Sequence, residues 1–113
     1  GAKTGLKSAL KFCKSRDISR IQLAPCDVPW IEGYVFKRLR EENQAVVMPR
    51  SGCLQPLLSL VDVVEVLTAM RRSKRGDSLK RVLQSVPNVV VDFEMEDSFR
   101  NVNSLRDLST NRY

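Results

Sequence analysis

Leu6, Ala9, Leu10 and Cys13 recur at helical spacing, while Lys7, Lys11 and Lys14 take the opposite face. That stripe predicts an amphipathic helix, with Thr4 placed to cap it and Gly5 allowing close approach at its first turn. Residues 21–24 (Ile-Gln-Leu-Ala) form a short apolar run that reads as a buried strand leading into Pro25-Cys26-Asp27. Pro29 breaks the chain. Helical spacing resumes over 31–42, with Ile31, Val35 and Leu39 inward. Residues 45–48 read as a second strand closed by Pro49, and 50–55 as a turn-rich connection.

Residues 56–61 have the composition of a strand, and Asp62 starts a helix that buries Val63, Leu67 and Met70. The cluster Arg71-Arg72-Ser73-Lys74-Arg75-Gly76 is an exposed connection whose charges suit the carboxyl end of the preceding helix. Asp77 opens a further helix with Leu79, Val82, Leu83 and Val86 on one face, and residues 89–93 are a clear strand. Ser104-Leu105-Arg106-Asp107 has the form of a capping box with Asp in place of Glu.

Strands alternating with helices predict a layered α/β domain with a largely parallel sheet. The first element is a helix, and the apolar strand at 21–24 reads as a central one that needs neighbours on both sides. The expectation is therefore that residues 1–113 are one portion of a single domain and start in mid-fold.

Composition narrows the chemistry. With 113 residues, 42% hydrophobic and 28% charged, the chain has the make-up of an ordinary folded domain. No apolar run approaches the roughly 20 residues of a membrane helix. The basic amphipathic start has no apolar signal core, so a soluble, cytoplasmic protein is expected. Cys13, Cys26 and Cys53 are far apart, there is no Cys-x-x-Cys, and there is no histidine. A zinc ligand set and a histidine-activated nucleophile are both excluded, and reduced, mostly buried thiols are expected. The net charge of +6 fits either phosphorylated partners or a solvated basic surface.

Three short segments are candidates for a site. Asp27 follows the end of an apolar strand, the edge where open α/β sheets bind ligands. It is placed to hold Mg²⁺ together with phosphate oxygens, or else to cap the helix that follows Pro29. Asn101 and Asn103 flank Val102 and project to one side, to grip a ribose or phosphate or to form Asx-turns. Gly1-Ala2-Lys3-Thr4-Gly5 precedes a helix whose amino end attracts anions, yet it lacks the full P-loop pattern. Lys3 and Arg50 are weaker candidates for phosphate contacts.

The succession of these segments resembles the molybdenum cofactor guanylyltransferase family. Gly1-x-x-x-Gly5 stands where that family has Gly-Pro-Leu-x-Gly, and Cys26-Asp27-Val28-Pro29 matches its Cys-Asp-x-Pro strand end. Pro56-Leu57 matches its Pro-Leu strand, and Asn101-Val102-Asn103-Ser104 ahead of Asp107-Leu108 resembles its Asn-x-Asn-Thr-Pro-x-Asp/Glu-Leu close. Ala2, Lys3, Ser104 and Leu105 depart from the pattern. The family's Gly-rich Leu-x-Gly-Gly-x-Ser-x-Arg-Met-Gly loop does not occur in these residues.

The resemblance implies a three-layer, Rossmann-like nucleotidyltransferase fold, mostly parallel, of which the chain is the C-terminal portion without the nucleotide loop. It implies transfer of GMP from GTP to molybdopterin with release of pyrophosphate, and Mg²⁺ as cofactor. In that scheme Asp27 is catalytic and holds the metal, and Gly1, Gly5, Asn101 and Asn103 contact nucleotide or pterin phosphate. The fragment alone is expected to be inactive. The alternatives are another base or phosphorylated acceptor, or a non-catalytic basic module for phosphate or nucleic acid. Nucleic acid and membrane are not expected partners.

Overall fold

The helical stripe at the start of the chain is realised as α1 (Ala2–Ser15) in the computed structural model, which describes residues 2–24 and 33–94. Leu10 is fully buried and Leu6 and Cys13 pack beside it, as the spacing requires. Ala9 stays exposed. Thr4 lies inside the helix and does not cap it. Apart from the adjoining helix backbone and chain neighbours, no described atom lies within 4 Å of the Cβ position at Gly5, so no described element makes the close approach expected there.

The chain then forms β1 (Arg20–Gln22), α2 (Gly33–Leu39), β2 (Val46–Ser51) and β3 (Cys53–Leu54). A 3-10 turn at Pro56–Leu58 leads to β4 (Leu60–Asp62), α3 (Val63–Arg72), α4 (Leu79–Gln84) and β5 (Asn88–Asp92). The predicted strand at 56–61 is thus half turn and half strand, because Pro56 begins a tight turn stapled by Leu58 N–H to Gln55 O at 3.0 Å. Asp62 does start α3, its side chain accepting from Glu65 N at 2.9 Å. Asp77 does not start α4. Ser78 caps it by accepting from Arg81 N at 3.1 Å, and Asp77 closes the preceding turn through Lys74 N at 2.9 Å.

Alternation along the strands divides the core in two. Val46, Met48 and Val61 face α1, α3 and α4, where they meet Leu10, Val63, Val66, Leu67, Met70, Val82 and Leu83. Val47, Leu60 and Val91 face the other way, onto Leu39 of α2. Tyr34 of α2 meets Phe93 edge-to-face at 6.5 Å. Each fully buried Leu or Val contributes about 1.5–3 kcal/mol relative to exposure, so both layers are held by ordinary apolar burial. The layered α/β arrangement expected from the sequence is present, with helices on both faces of the sheet as the family resemblance implies.

The sheet is not mostly parallel. Its five described strands are joined by antiparallel pairing of β1 with β4, β2 with β3 and β2 with β4, and by parallel pairing of β2 with β5. The cause is connection length. Residues 52–59 between β2 and β4 are too few for a parallel crossover, which needs about a dozen or more. The chain instead folds back at Gly52, whose φ of 79° suits glycine. The longer stretch from β2 to β5, with α3 and α4 in it, makes the parallel connection.

Pro49 does not close β2. Val46 N–H donates to Pro87 O and Phe93 N–H donates to Arg50 O, so even-numbered residues of β2 bond toward β5. Pro49 therefore turns its missing N–H to the other flank, between β4 and β3, where its carbonyl accepts from Gln55 N at 2.9 Å. β1 is three residues long and half-buried, and among the described strands it pairs with β4 alone. Among the cysteines, Cys13 is half-buried and Cys53 is exposed, so the expectation of buried thiols fails at Cys53. Cys26, Ile31 and the predicted capping box at 104–107 lie outside the described residues.

Candidate functional site

β1 runs antiparallel to β4, and β4 antiparallel to β2, so β1 and β2 point the same way, as does β5. Their carboxyl ends, Gln22, Ser51 and Asp92, share one rim of the sheet. α1 leads down into β1 and so begins near this rim, while α3 runs up from β4 and ends there. The contact of Lys3 Nζ with Lys74 O and Asp77 O, both at 3.0 Å, fastens the start of α1 to the connection after α3.

The rim is built from local bonds. Gln22 Nε2 donates to Leu58 O at 2.7 Å and Leu23 O at 2.9 Å, which ties the end of β1 to the turn before β4. Ser51, almost fully buried, donates from Oγ to Glu94 O at 3.1 Å and links the ends of β2 and β5. Arg50 and Asp92 face each other across the same two strands, with Nε to Oδ1 at 2.6 Å and a second guanidinium nitrogen to Oδ2 at 2.9 Å. The hydrogen bonds from Arg50 hold the Asp92 carboxyl below the usual carboxylate range. The same bonds, aided by the opposite charge, raise Arg50 further above its already high value.

Of the residues expected to form a site, only Gly5 is described, exposed on the first turns of α1. Gly1, Asp27, Asn101 and Asn103 lie outside the described residues. The described chain does deliver their neighbours to one place, since Ala24, beyond β1, and Glu94, beyond β5, both leave from the carboxyl rim. The two weaker candidates are engaged: Lys3 by backbone carbonyls and Arg50 by Asp92. Asp92, as partner of Arg50, and the carbonyls of Lys74 and Asp77, as partners of Lys3, are not indicated by the sequence, because no local pattern links positions so far apart in the chain.

Among the described residues no group of three or more His, Cys, Asp or Glu converges as a metal cluster. Asp92, a carboxylate at the rim, has both oxygens taken by Arg50. Mg²⁺ needs only one or two carboxylates alongside phosphate oxygens and waters, so a lone Asp27 is chemically sufficient as its protein ligand. No described helix is long and apolar enough to cross a membrane.

These features define a three-layer α/β domain with a mixed sheet, open at a carboxyl rim of the kind where such folds receive ligands. No protein-family profile and no curated protein matches the sequence. Among solved structures the fold is similar to molybdopterin-guanine dinucleotide biosynthesis protein A from Archaeoglobus fulgidus, with a TM-score of 0.61 and 18% identity. The likeness covers 98% of this chain and 52% of that one, so the chain spans about half that protein's length. At this identity the likeness is one of fold.

Proposed function

We propose that the chain is the acceptor-side portion of a nucleotidyltransferase of molybdenum cofactor biosynthesis, which passes GMP from GTP to molybdopterin. The observation that carries this reading is the fold likeness along 98% of the chain to a protein named for molybdopterin-guanine dinucleotide biosynthesis. The ordered motifs around Asp27 and Asn101–Asn103 point to the same family on separate grounds.

In this reading a terminal phosphate oxygen of molybdopterin attacks the α-phosphorus of GTP. The bond to the β-phosphate oxygen breaks and pyrophosphate leaves. Asp27 is the residue that would hold Mg²⁺, which supplies charge neutralisation on the phosphates. Asn101 and Asn103 would orient the pterin phosphate, and Gly1 and Gly5 would let backbone come near the guanosine. No covalent enzyme intermediate is required, which suits a sequence without histidine. The nucleotide-gripping portion would belong to sequence upstream of Gly1. It would complete the sheet beside β1, on whose outer flank no described strand pairs.

The test is pyrophosphate release from molybdopterin and Mg²⁺-GTP by this chain and by a protein extended upstream in its own gene. Turnover by the extended protein alone is the expected result. Silence from both would remove the transfer reaction. A competition between GTP and CTP on the extended protein then decides the base.

A further inference from the structure

Two lysines of α1 and two cations of the connection after α3 meet at one concavity. Lys3, Thr4, Lys7, Met70, Ser73, Lys74 and Arg75 line a cavity of about 300 Å³. Met70 is buried and forms its apolar floor, while Lys74 and Arg75 are exposed at its mouth. The lining contains four cationic side chains and no carboxylate. The described ion pairs engage Arg38, Arg50 and Arg81, and none of these four cations. Asp77 lies close by, but its carboxylate is engaged by Lys74 N–H at 2.9 Å and by Arg81 at 3.7 Å, and it lines the neighbouring cavity between α3 and α4.

Like charges gathered in a concavity repel unless an anion sits between them, and the low-dielectric walls concentrate their field. The carboxyl end of α3 accounts for part of the positive charge nearby, but Arg71 and Arg72 already stand on its last turn. Lys3 is held in place by two carbonyls, which use two of the three donors of its ammonium and leave one for a ligand. A comparison within the molecule sharpens the point. The cavity of about 430 Å³ between α3 and α4 also has cations, Arg72 and Arg81, yet Glu65 and Asp77 line it with them, so its charges offset one another.

We infer that the Lys3–Lys7–Lys74–Arg75 cavity is a binding site for a short oligophosphate, a di- or triphosphate group carried free or on a small molecule. Its volume lies at the lower limit for small-ligand pockets, enough for a phosphate chain and too little to enclose a nucleoside as well. The lining has no aromatic ring on which a base could stack, which disfavours single-stranded nucleic acid. The site uses neither Asp27 nor the asparagines, so it stands whether or not the chain belongs to a nucleotidyltransferase.

The experiment is a titration of the ¹⁵N-labelled chain with sodium tripolyphosphate, followed by amide shifts at two ionic strengths. Saturable shifts confined to residues 3–7 and 70–75 are expected. The double variant Lys74→Gln, Arg75→Gln changes only exposed side chains and is expected to weaken binding at least tenfold. Lys37→Gln, on α2 across the sheet, is expected to leave it unchanged. Shifts spread over every basic surface, or equal losses in the double variant and in Lys37→Gln, would overturn the site. A single-stranded oligonucleotide that binds more tightly than tripolyphosphate, with shifts running beyond the cavity, would overturn it in favour of nucleic acid.

Discussion

Arg50 and Asp92 form a two-toothed ion pair that ties the ends of β2 and β5, the one parallel pair of neighbouring strands among the described residues. Arg50 stands in register with Asp92, so the pair sits on the ladder itself. Backbone carries the same link, with Phe93 N–H donating to Arg50 O at 2.8 Å and Ser51 Oγ reaching Glu94 O. The chain beyond Glu94, in which Asn101 and Asn103 fall, is thus launched from a fastened strand end.

The pair gives stability a definite pH signature. Asp92 is held below its ordinary value in the folded chain, chiefly by the Arg50 hydrogen bonds. Its contribution is therefore complete above the unfolded Asp value of about 3.9 and is lost as pH falls through the lower folded value. The Arg50 side chain is 47% and the Asp92 side chain 64% exposed, so the effect is small and screened by salt. Urea unfolding of the wild type and Asp92→Asn from pH 7 to pH 2 should show a gap that closes only at the acid end. A gap of constant size across that range would mean that Asp92 acts through something other than its charge.

The helical layer should respond steeply to loss of volume at Leu10, which is fully buried where α1 meets the core. Leu10→Ala is expected to cost about 2–5 kcal/mol, a large part of the roughly 5–15 kcal/mol that holds a typical domain folded. Val64 on α3 is 53% exposed, and Val64→Ala should change stability by no more than about 0.5 kcal/mol. Equal effects from the two substitutions in denaturant unfolding would contradict the packing of α1 on α3.

What the sequence revealed and what it hid follow from the range of the forces involved. Asp62 announced the start of α3 because a cap is a bond between near neighbours, and Leu6, Leu10 and Cys13 announced α1 because a stripe is periodic. The direction of β4 was hidden, since residues 60–62 carry the same apolar pattern whichever way they pair, and only the short connection after β2 decides it. Pro49 misled for a related reason. Whether its missing N–H matters depends on which flank it faces, and that depends on where β3 and β4 fall. Arg50 read only as a weak candidate for a phosphate contact, because its true partner is 42 positions away. The site was legible only as an ordered succession of motifs. The strands before Asp27 and before Asn101 do run to one rim, whereas those residues themselves lie outside the described chain.

Ser78 provides a test of capping on a very short helix. Its hydroxyl accepts from Arg81 N at the start of α4, which has only six residues to share the cost of an open end. Ser78→Ala should cost about 0.5–2 kcal/mol, and Ser78→Gly only a few tenths, because glycine leaves the end accessible to water. If the alanine variant were as stable as the wild type, the cap would contribute nothing and α4 would rest on Val82 and Leu83 alone.

The decisive prediction for the proposed chemistry concerns Asp27. In the protein extended upstream, Asp27→Ala should lower nucleotidyl transfer by at least about 100-fold, because even partners one step removed from a metal's ligands cost 10–100-fold when lost. Its unfolding free energy should stay within about 0.5 kcal/mol of the parent, as for a surface residue with no packing role. Loss of activity together with loss of folding would instead make Asp27 a cap for the helix after Pro29. Unchanged turnover would move the metal to another carboxylate and end the assignment. Asn101→Ala and Asn103→Ala provide the cross-check. If they orient the acceptor phosphate, they should raise KM for molybdopterin more than KM for GTP, and the reverse order would place them on the nucleotide instead.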